Sequence, residues 1–233
     1  MKTLYVFFLL FLMMSVRSVC QTPQKIIVKD NQASSEMINP ELQQIFPDFQ
    51  NGSIHYKGKR PIECRLNYNF LLDEILFLNE KGEKMALANP QDVSKVIISD
   101  RTFIPTAKGY VEVIEDGEIS LVYKWICRIS KVGKKGALGL STDAPSVYQM
   151  NRFSFDAREW KIAVDEEALA AVEVRPYLKI NSKLIQITGV KSFMKAFRGE
   201  ETKLSQYLDQ NPVDIKKEAD LRRLTRYGNS LKE

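Results

Sequence analysis

The chain has 233 residues, of which 27% are charged and 44% hydrophobic, and its formal net charge is +5 at pH 7. This composition is typical of a globular protein with one sizeable domain, or one domain with an appendage. The small positive charge, spread along the chain, excludes the basic footprint of a nucleic-acid-binding protein.

The first twenty residues have the pattern of a secretory signal peptide. Lys2 supplies a positive start, and residues 4–14 form an unbroken apolar run of eleven residues. That length suits a signal peptide and is too short to span a bilayer as a helix. We therefore expect an exported protein, periplasmic or extracellular, with no transmembrane helix in the mature chain.

Two ways of processing this segment compete. Cleavage after Cys20 fits the preference for small residues before the cut and leaves Gln21 as the first residue. A lipid anchor on Cys20 is the less favoured alternative, because the charged Arg17 stands three residues before it. Removal of residues 1–20 takes away Lys2 and Arg17, which leaves 213 residues and a net charge of +3.

From about residue 25 to residue 188 apolar and polar residues alternate, which indicates β-strands. Strands are predicted at KIIVKD, GSIHY, PIECRLNYN, EILFLN, KMALA, KVIIS, TFIPT, YVEVIED and over 119–130. Close turns between them predict an antiparallel meander, either a twisted sheet or a half-open barrel. A short helix is predicted in NPELQQIF, where Asn39 is a helix cap and Pro40 takes the first helical position.

The segment 131–152 is rich in glycine and lacks periodicity, which predicts a long loop or lid. Strands resume in FSFDAREWKIAV, AAVEVRPYLKI and KLIQI, with a helix as an option at DEEALAA. From Val190 the spacing becomes helical and predicts three short helices, the first ended by Gly199, the third capped by Asp214 and ended at Gly228.

These patterns predict an α+β protein that is mainly β. A β-rich domain covers residues 21–188, and a C-terminal helical subdomain covers residues 189–233. The apolar stripe on each helix is narrow, and so short a helix is marginally stable alone. The helices are therefore expected to dock on the edge or face of the sheet.

Two cysteines, Cys64 and Cys127, remain after removal of the signal peptide. Each lies on the apolar face of its predicted strand, so both thiols are expected to point toward a core. Export permits a disulfide between them. Two buried, inert thiols are the alternative, and the sequence leaves both open.

Residues 45–104 carry three turn and strand motifs. These are an F-x-x-G entry to a strand, an LNYN element and a G-x-x-x-x-L hairpin. With the helical tail from VKSFMKAF to EADLRRLTRY, the block resembles a group of exported Gram-negative bacterial proteins with no assigned function. The resemblance implies an exported β-rich fold and carries over no activity.

Few residues are suited to catalysis. The single histidine, His55, excludes multi-histidine metal sites, and no Cys-x-x-Cys, phosphate loop or Gly-x-Ser-x-Gly elbow occurs. A Ser-His-Asp or Cys-His system would have to use His55. Because His55 precedes a turn on a short strand, we expect an exposed strand histidine.

Two groups of acidic residues provide the only enzymatic alternative. They are Glu112, Glu115, Asp116 and Glu118 around one hairpin turn, and the consecutive Asp165, Glu166 and Glu167. A glycan hydrolase needs two carboxylates that face each other across the sugar, and a calcium loop needs alternating acids. Neither pattern is present, so we expect solvated turn and edge residues.

Two further groups are candidates for binding. Trp125, Trp160, Tyr110 and Tyr123 would suit a platform for sugars or peptides, but their alternation favours a buried sheet face. Lys131, Lys134 and Lys135 would suit anionic lipid or glycan, although such a run is more often solvated.

The sequence thus favours an exported, non-catalytic protein with a binding or structural role in the cell envelope, without cofactor or metal. Its partner would be an envelope protein or a glycan, bound at an open sheet edge or beside the 131–152 segment. The alternatives are a carboxylate-based hydrolase that acts on glycans and a small-ligand carrier with a cavity in a half-open barrel.

Overall fold

The computed structural model describes residues 24–27, 32–34, 39, 42–131, 147–149, 159–161 and 167–232. The predicted signal peptide with Cys20 and Gln21, and most of the predicted 131–152 loop, lie outside these residues, as do Asp165 and Glu166.

The described residues form fourteen strands and three C-terminal helices. The strands are β1 (Gln24–Ile27), β2 (Gln32–Ser34), β3 (Gln50–Tyr56), β4 (Ile62–Asn69), β5 (Glu74–Leu78), β6 (Lys84–Ala86), β7 (Val93–Ile98), β8 (Arg101–Thr106), β9 (Gly109–Glu115), β10 (Ile119–Lys131), β11 (Val147–Gln149), β12 (Glu159–Lys161), β13 (Glu167–Ile180) and β14 (Lys183–Gln186). The helices are α1 (Val190–Met194), α2 (Glu201–Gln210) and α3 (Glu218–Ser230). None of these helices has the length and apolar character needed to cross a membrane.

Most strands belong to one antiparallel sheet with the order β1-β13-β10-β9-β8-β7-β3-β4-β5-β6. In addition, β14 pairs with β13, β11 pairs with β10, and β12 pairs separately with β2. Within the described ranges β6 has no strand on its outer side, so the sheet is open. The protein is mainly antiparallel β with short C-terminal helices, as the sequence predicted.

The first hydrophobic core lies on one face of the sheet around Tyr68 and Phe103, whose ring centroids are 5.2 Å apart. The predicted alternation in β4 is confirmed for Leu66 and Tyr68, which are fully buried. Ile62 differs, because it is 52% exposed. β5 pairs with β4 only from Leu66 onward, so the first residues of β4 project past the core.

The second core joins the helices to the sheet. Phe193, Phe197 and Leu204 from the helical segment pack with Ile119 of β10 and Leu178 of β13, and all five are fully buried. The expectation that the helices dock on the sheet is therefore confirmed. Burial of the apolar stripes supplies the stability that such short helices lack alone.

The predicted helix in NPELQQIF is reduced to a single turn in the residues described. Leu42 lies in a 3₁₀ turn, where its N–H donates to the Asn39 carbonyl at 2.8 Å. Residues 43–49 bend along β4 instead, with a bridge between Gln44 and Asn69. The Ile45 N–H donates to the Tyr68 carbonyl at 3.0 Å, and the Phe70 N–H donates to the Gln43 carbonyl at 2.8 Å. These backbone groups are satisfied by a strand, so the helix does not continue beyond its first turn.

Three other elements also depart from prediction. Glu167 begins a strand paired with β10 and β1, so the optional helix at DEEALAA does not form over its described residues. Val147–Gln149 lies in the predicted loop but pairs with β10. Gly228 lies inside α3, which continues to Ser230, and its Cα packs on the Phe197 ring, which leaves no room for a Cβ.

The predicted cap of the third helix is also displaced. The helix begins at Glu218, and Asp214 lies before it in a turn where its carboxylate accepts a hydrogen bond from the Lys216 N–H at 3.0 Å. Asp and Asn bond readily to backbone groups two residues on, so the same residue type serves a turn as well as a cap.

Candidate functional site

A buried ion pair is the most unusual chemical feature of the first core. Arg101 of β8 donates two hydrogen bonds of 2.5 Å to the Glu112 carboxylate of β9, and the Trp125 Nε1–H donates to the same carboxylate at 2.8 Å. The two charged side chains are only 11% and 8% exposed. A buried carboxylate needs such partners because its desolvation is costly.

Aromatic rings surround the Arg101 guanidinium. Its Cζ lies 4.9 Å from the Trp125 ring centroid, 5.5 Å from that of Phe46 and 5.7 Å from that of Phe103. A guanidinium is weakly hydrated and is attracted to aromatic faces, so this charge is accommodated inside the core. The arrangement is a closed structural unit, since both Glu112 oxygens and the indole are already paired.

A second polar network centres on Asp73, which was not singled out from the sequence. Its Oδ1 accepts hydrogen bonds from the Tyr68 hydroxyl at 2.7 Å, the Tyr110 N–H at 2.9 Å and the Lys124 ammonium at 2.8 Å. The Lys124 ammonium also donates to the Tyr110 carbonyl. Burial lowers the pKa of Lys124, and Asp73 opposes that shift. The network ties the β4–β5 turn to β9 and β10.

The LNYN motif is a structural element. The side chain of Asn67 bonds the backbone of Phe46 in both directions, and the Asn69 carboxamide oxygen accepts from the N–H groups of Leu71 and Leu72. Tyr68, between them, reaches Asp73. The motif therefore fixes the segment 43–49 along β4 and the β4–β5 turn, and its buried residues take no exposed position where a ligand would bind.

The acidic residues of the β9–β10 hairpin are each engaged in contacts within the protein. Glu115 accepts from Arg226 at 2.7 and 2.9 Å, Asp116 accepts from the Ser120 hydroxyl at 3.1 Å, and Glu118 pairs with Lys232 at 3.2 Å. Glu112 was expected to be solvated, and this is wrong because Arg101 neutralises it in the core.

The pKa of Glu115 is held below its ordinary value of 4.5, chiefly by the hydrogen bonds from Arg226. A catalytic acid requires the opposite shift, as in the glycosidase pairs. Of the second acidic group, Asp165 and Glu166 lie outside the described residues and Glu167 begins β13. In the part of the chain that the structure describes, no three His, Cys, Asp or Glu residues converge to hold a metal ion.

His55 lies on β3 and is half-buried, rather than fully exposed as expected. Its Nε2 is 3.0 Å from the Ser53 Oγ, and its carbonyl accepts from the Ser94 hydroxyl at 2.8 Å. A nucleophilic serine needs its histidine oriented by a third group. Among the described residues no carboxylate bonds the other ring nitrogen, and the two side chains are neighbours on one face of a strand.

Both cysteines contribute to the first core as free thiols. Burial raises the pKa of the Cys127 thiol to about 12 and also raises that of the half-buried Cys64. A thiol with such a pKa is a poor nucleophile at neutral pH. The disulfide between them stays a prediction for the oxidised protein.

Three of the four candidate aromatic residues lie in the cores, as the alternation favoured. Trp125 is 8% and Tyr110 3% exposed in the first core, and Tyr123 packs against the second. Trp160 lies in β12. Of the three lysines, Lys131 ends β10, whereas Lys134 and Lys135 lie outside the described residues.

The sequence pattern indicates burial for one of these charged residues and not for the others. Glu112 shares the alternating face of Tyr110 and Ile114, and a carboxylate on an apolar face predicts a buried partner. Arg101 and Asp73 gave no such signal, because one begins a strand and the other lies in a turn.

An open strand edge is the feature best suited to contact another molecule. The outer side of β6 is unpaired among the described strands, all three of its residues are exposed, and Met85 is 46% exposed. Comparison of the chain with protein-family models, curated proteins and solved structures finds no match.

Proposed function

We propose that this chain is an exported, non-catalytic protein of the cell envelope that binds a partner protein. In this proposal, an extended segment of the partner adds to the open edge of β6. The exposed edge beside a filled core is the single observation that carries this proposal. Strand addition uses backbone hydrogen bonds for affinity and side-chain contacts for specificity.

The backbone of β6 has the polarity that strand addition requires. The Leu87 N–H donates to the Ile75 carbonyl, and the Glu83 carbonyl accepts from the Asn79 N–H, so both residues face inward along the hairpin. Because backbone groups alternate along an antiparallel strand, those of Lys84 and Ala86 face outward. Two N–H and two C=O groups are therefore presented at this edge.

The side chains on β6 leave this edge accessible. Charged residues often protect an edge strand from pairing. The Lys84 ammonium, however, lies 5.8 Å from the Phe49 ring centroid, which draws it over one face of the sheet. Met85 is paired with Phe77 across the hairpin and adds an adaptable apolar contact on the other face.

The two other functions considered receive less support. A hydrolase would need two carboxylates that face one substrate, whereas the four candidate carboxylates of the β9–β10 hairpin are bound to Arg101, Arg226, Ser120 and Lys232. A carrier would need an apolar lumen, whereas the inward side chains Leu66, Tyr68 and Phe103 are fully buried against one another.

Site-specific photocrosslinking in cells tests this proposal. A photoreactive amino acid at Met85 is expected to capture one partner from the envelope, identifiable by mass spectrometry. The same amino acid at Lys108, an exposed residue of the β8–β9 turn, is the matched control. Equal capture from both positions, or release of sugars from a glycan panel by the purified protein, would overturn it.

A further inference from the structure

We propose that the β3–β4 turn is a contact site for the phosphate groups of an anionic lipid surface. The site, here called the basic tip, comprises residues 57–62 with the sequence KGKRPI. All six residues are exposed. Three of the six, Lys57, Lys59 and Arg60, are cationic.

The cations of the basic tip are held at the end of the sheet. The Lys57 N–H donates to the Asp92 carbonyl at 3.0 Å, and its ammonium donates to the Gln91 carbonyl at 2.8 Å. The Lys59 ammonium lies 5.7 Å from the Tyr56 ring centroid. The turn is thereby fixed against the segment before β7 and presents its charges without prior ordering of the chain.

The adjoining strands add to this positive charge. Lys95 of β7 is the cross-strand neighbour of His55 and is exposed. The acidic residues on the adjoining elements are Glu63 of β4 and Asp92. Four cationic side chains therefore meet two carboxylates at this end of the sheet, and the excess favours an anionic partner.

An exposed apolar residue follows these cations in the chain. Ile62 is 52% exposed, the highest value among the large hydrophobic residues described, and it follows Arg60 and Pro61 in the chain. Its cross-strand neighbour Ile54 is buried, so Ile62 continues an apolar row from the core to the surface. Half-buried Tyr56 completes the group.

This combination matches the chemistry of a lipid interface. Lysine and arginine pair with anionic headgroups, an isoleucine inserts at the acyl boundary, and tyrosine favours the headgroup level. A free phosphate would use the cations but would gain nothing from Ile62. The inference does not depend on the β6 edge, because the two surfaces share no residue.

Vesicle flotation with the mature chain tests the basic tip. Vesicles of phosphatidylglycerol in phosphatidylcholine are compared with pure phosphatidylcholine at physiological ionic strength. The wild type is expected to float only with the anionic vesicles. The triple variant Lys57→Gln, Lys59→Gln, Arg60→Gln is expected to lower the partition coefficient on the order of a hundredfold.

Two further variants test whether binding depends on the basic tip itself or on the general attraction of a basic protein to a charged surface. The matched control is Lys191→Gln, Lys195→Gln, Arg198→Gln, which removes the same charge from exposed positions of the helical segment and is expected to retain flotation. Ile62→Ser is expected to weaken flotation about tenfold with the charge unchanged.

Several results would overturn the inference. One is an equal loss of flotation in the triple variant of the basic tip and in the control triple variant. A second is equal flotation of the wild type with neutral and with anionic vesicles. A third is loss of flotation only in the triple variant Lys131→Gln, Lys134→Gln, Lys135→Gln. Preferential binding to a soluble anionic polysaccharide that displaces the vesicles would also overturn it, because Ile62 has no role there.

Discussion

Arg101 shows how a full positive charge is tolerated within this β-rich core. Three aromatic faces replace its hydration shell, and Glu112 supplies the opposite charge with two aligned hydrogen bonds. Such a pair adds little net stability over apolar residues, but each member alone would be an uncompensated buried charge. The pair is therefore expected to specify the alignment of β8 with β9.

We predict strong coupling between these two residues. Glu112→Gln and Arg101→Met are each expected to lower the free energy of unfolding by about 3 kcal/mol, because each leaves one charge unpaired. The double variant is expected to lose clearly less than the sum, since it buries no lone charge. Urea unfolding of all four proteins measures this cycle, and additive losses would contradict the interpretation.

Gly109 is a second residue on which the fold depends. Its φ of +86° is a left-handed conformation, and a Cβ there would overlap the Asp73 carboxylate. Gly82 has a similar φ of +77° but no atom within 4 Å of a Cβ. Alanine substitutions at Gly82 and Gly109 therefore separate two losses of unfolding free energy, one from the backbone conformation and one from displacing Asp73.

We predict that Gly82→Ala costs about 1–2 kcal/mol of unfolding free energy, which is the backbone term alone. Gly109→Ala is expected to cost several kcal/mol, because it also displaces Asp73 from Tyr68, Tyr110 and Lys124. Equal losses for the two variants in urea unfolding would show that the Asp73 network contributes nothing.

At the scale of elements, α3 is fastened to the β9–β10 hairpin by polar contacts at the rim of the second core. The Asn229 carboxamide bonds both the N–H and the carbonyl of Ile119, at 3.1 and 3.0 Å. Glu115 accepts hydrogen bonds from Arg226 at 2.7 and 2.9 Å. These contacts position the helix over Ile119 and Leu121.

The Glu115–Arg226 contact predicts a dependence of stability on pH. Because the pKa of Glu115 is lowered in the folded protein, its contribution is present above the ordinary value of 4.5 and is lost as pH falls through the lowered value. Arg226→Gln should therefore be less stable than the wild type at neutral pH, and the difference should vanish in acid.

Urea unfolding between about pH 7 and pH 2 measures this difference. The control is Arg226→Gln in a Glu115→Gln background, where the effect should be small and independent of pH. A difference between Arg226→Gln and the wild type that persists unchanged in acid would assign the effect to packing of the arginine stem.

At the scale of the whole molecule, most of the strands and the helices were predictable because each buries one face. Alternation located β3 to β10, and helical spacing located α1 to α3. The segment 43–49 was not predictable, because its backbone partners lie on or next to β4, more than twenty residues away. For the same reason, the contacts of Asp73 with Tyr110 and Lys124 could not be read locally.

The N-terminal pattern predicts the mass of the mature protein. The intact mass of the native protein from envelope fractions should correspond to a chain that starts at Gln21. A chain that starts at Cys20 with added acyl groups would contradict plain secretion and indicate a membrane-tethered lipoprotein. An increase of about two mass units on reduction would establish the Cys64–Cys127 bridge.

The central proposal is tested most directly by measuring how tightly variants of the β6 edge bind the partner captured at Met85. Ala86→Pro removes an outward N–H and leaves the β5 ladder intact, whereas Ala86→Ser keeps that donor. Isothermal titration should show binding weakened about tenfold or more for Ala86→Pro and unchanged for Ala86→Ser. Equal affinity for the wild type and both variants would contradict strand addition at β6.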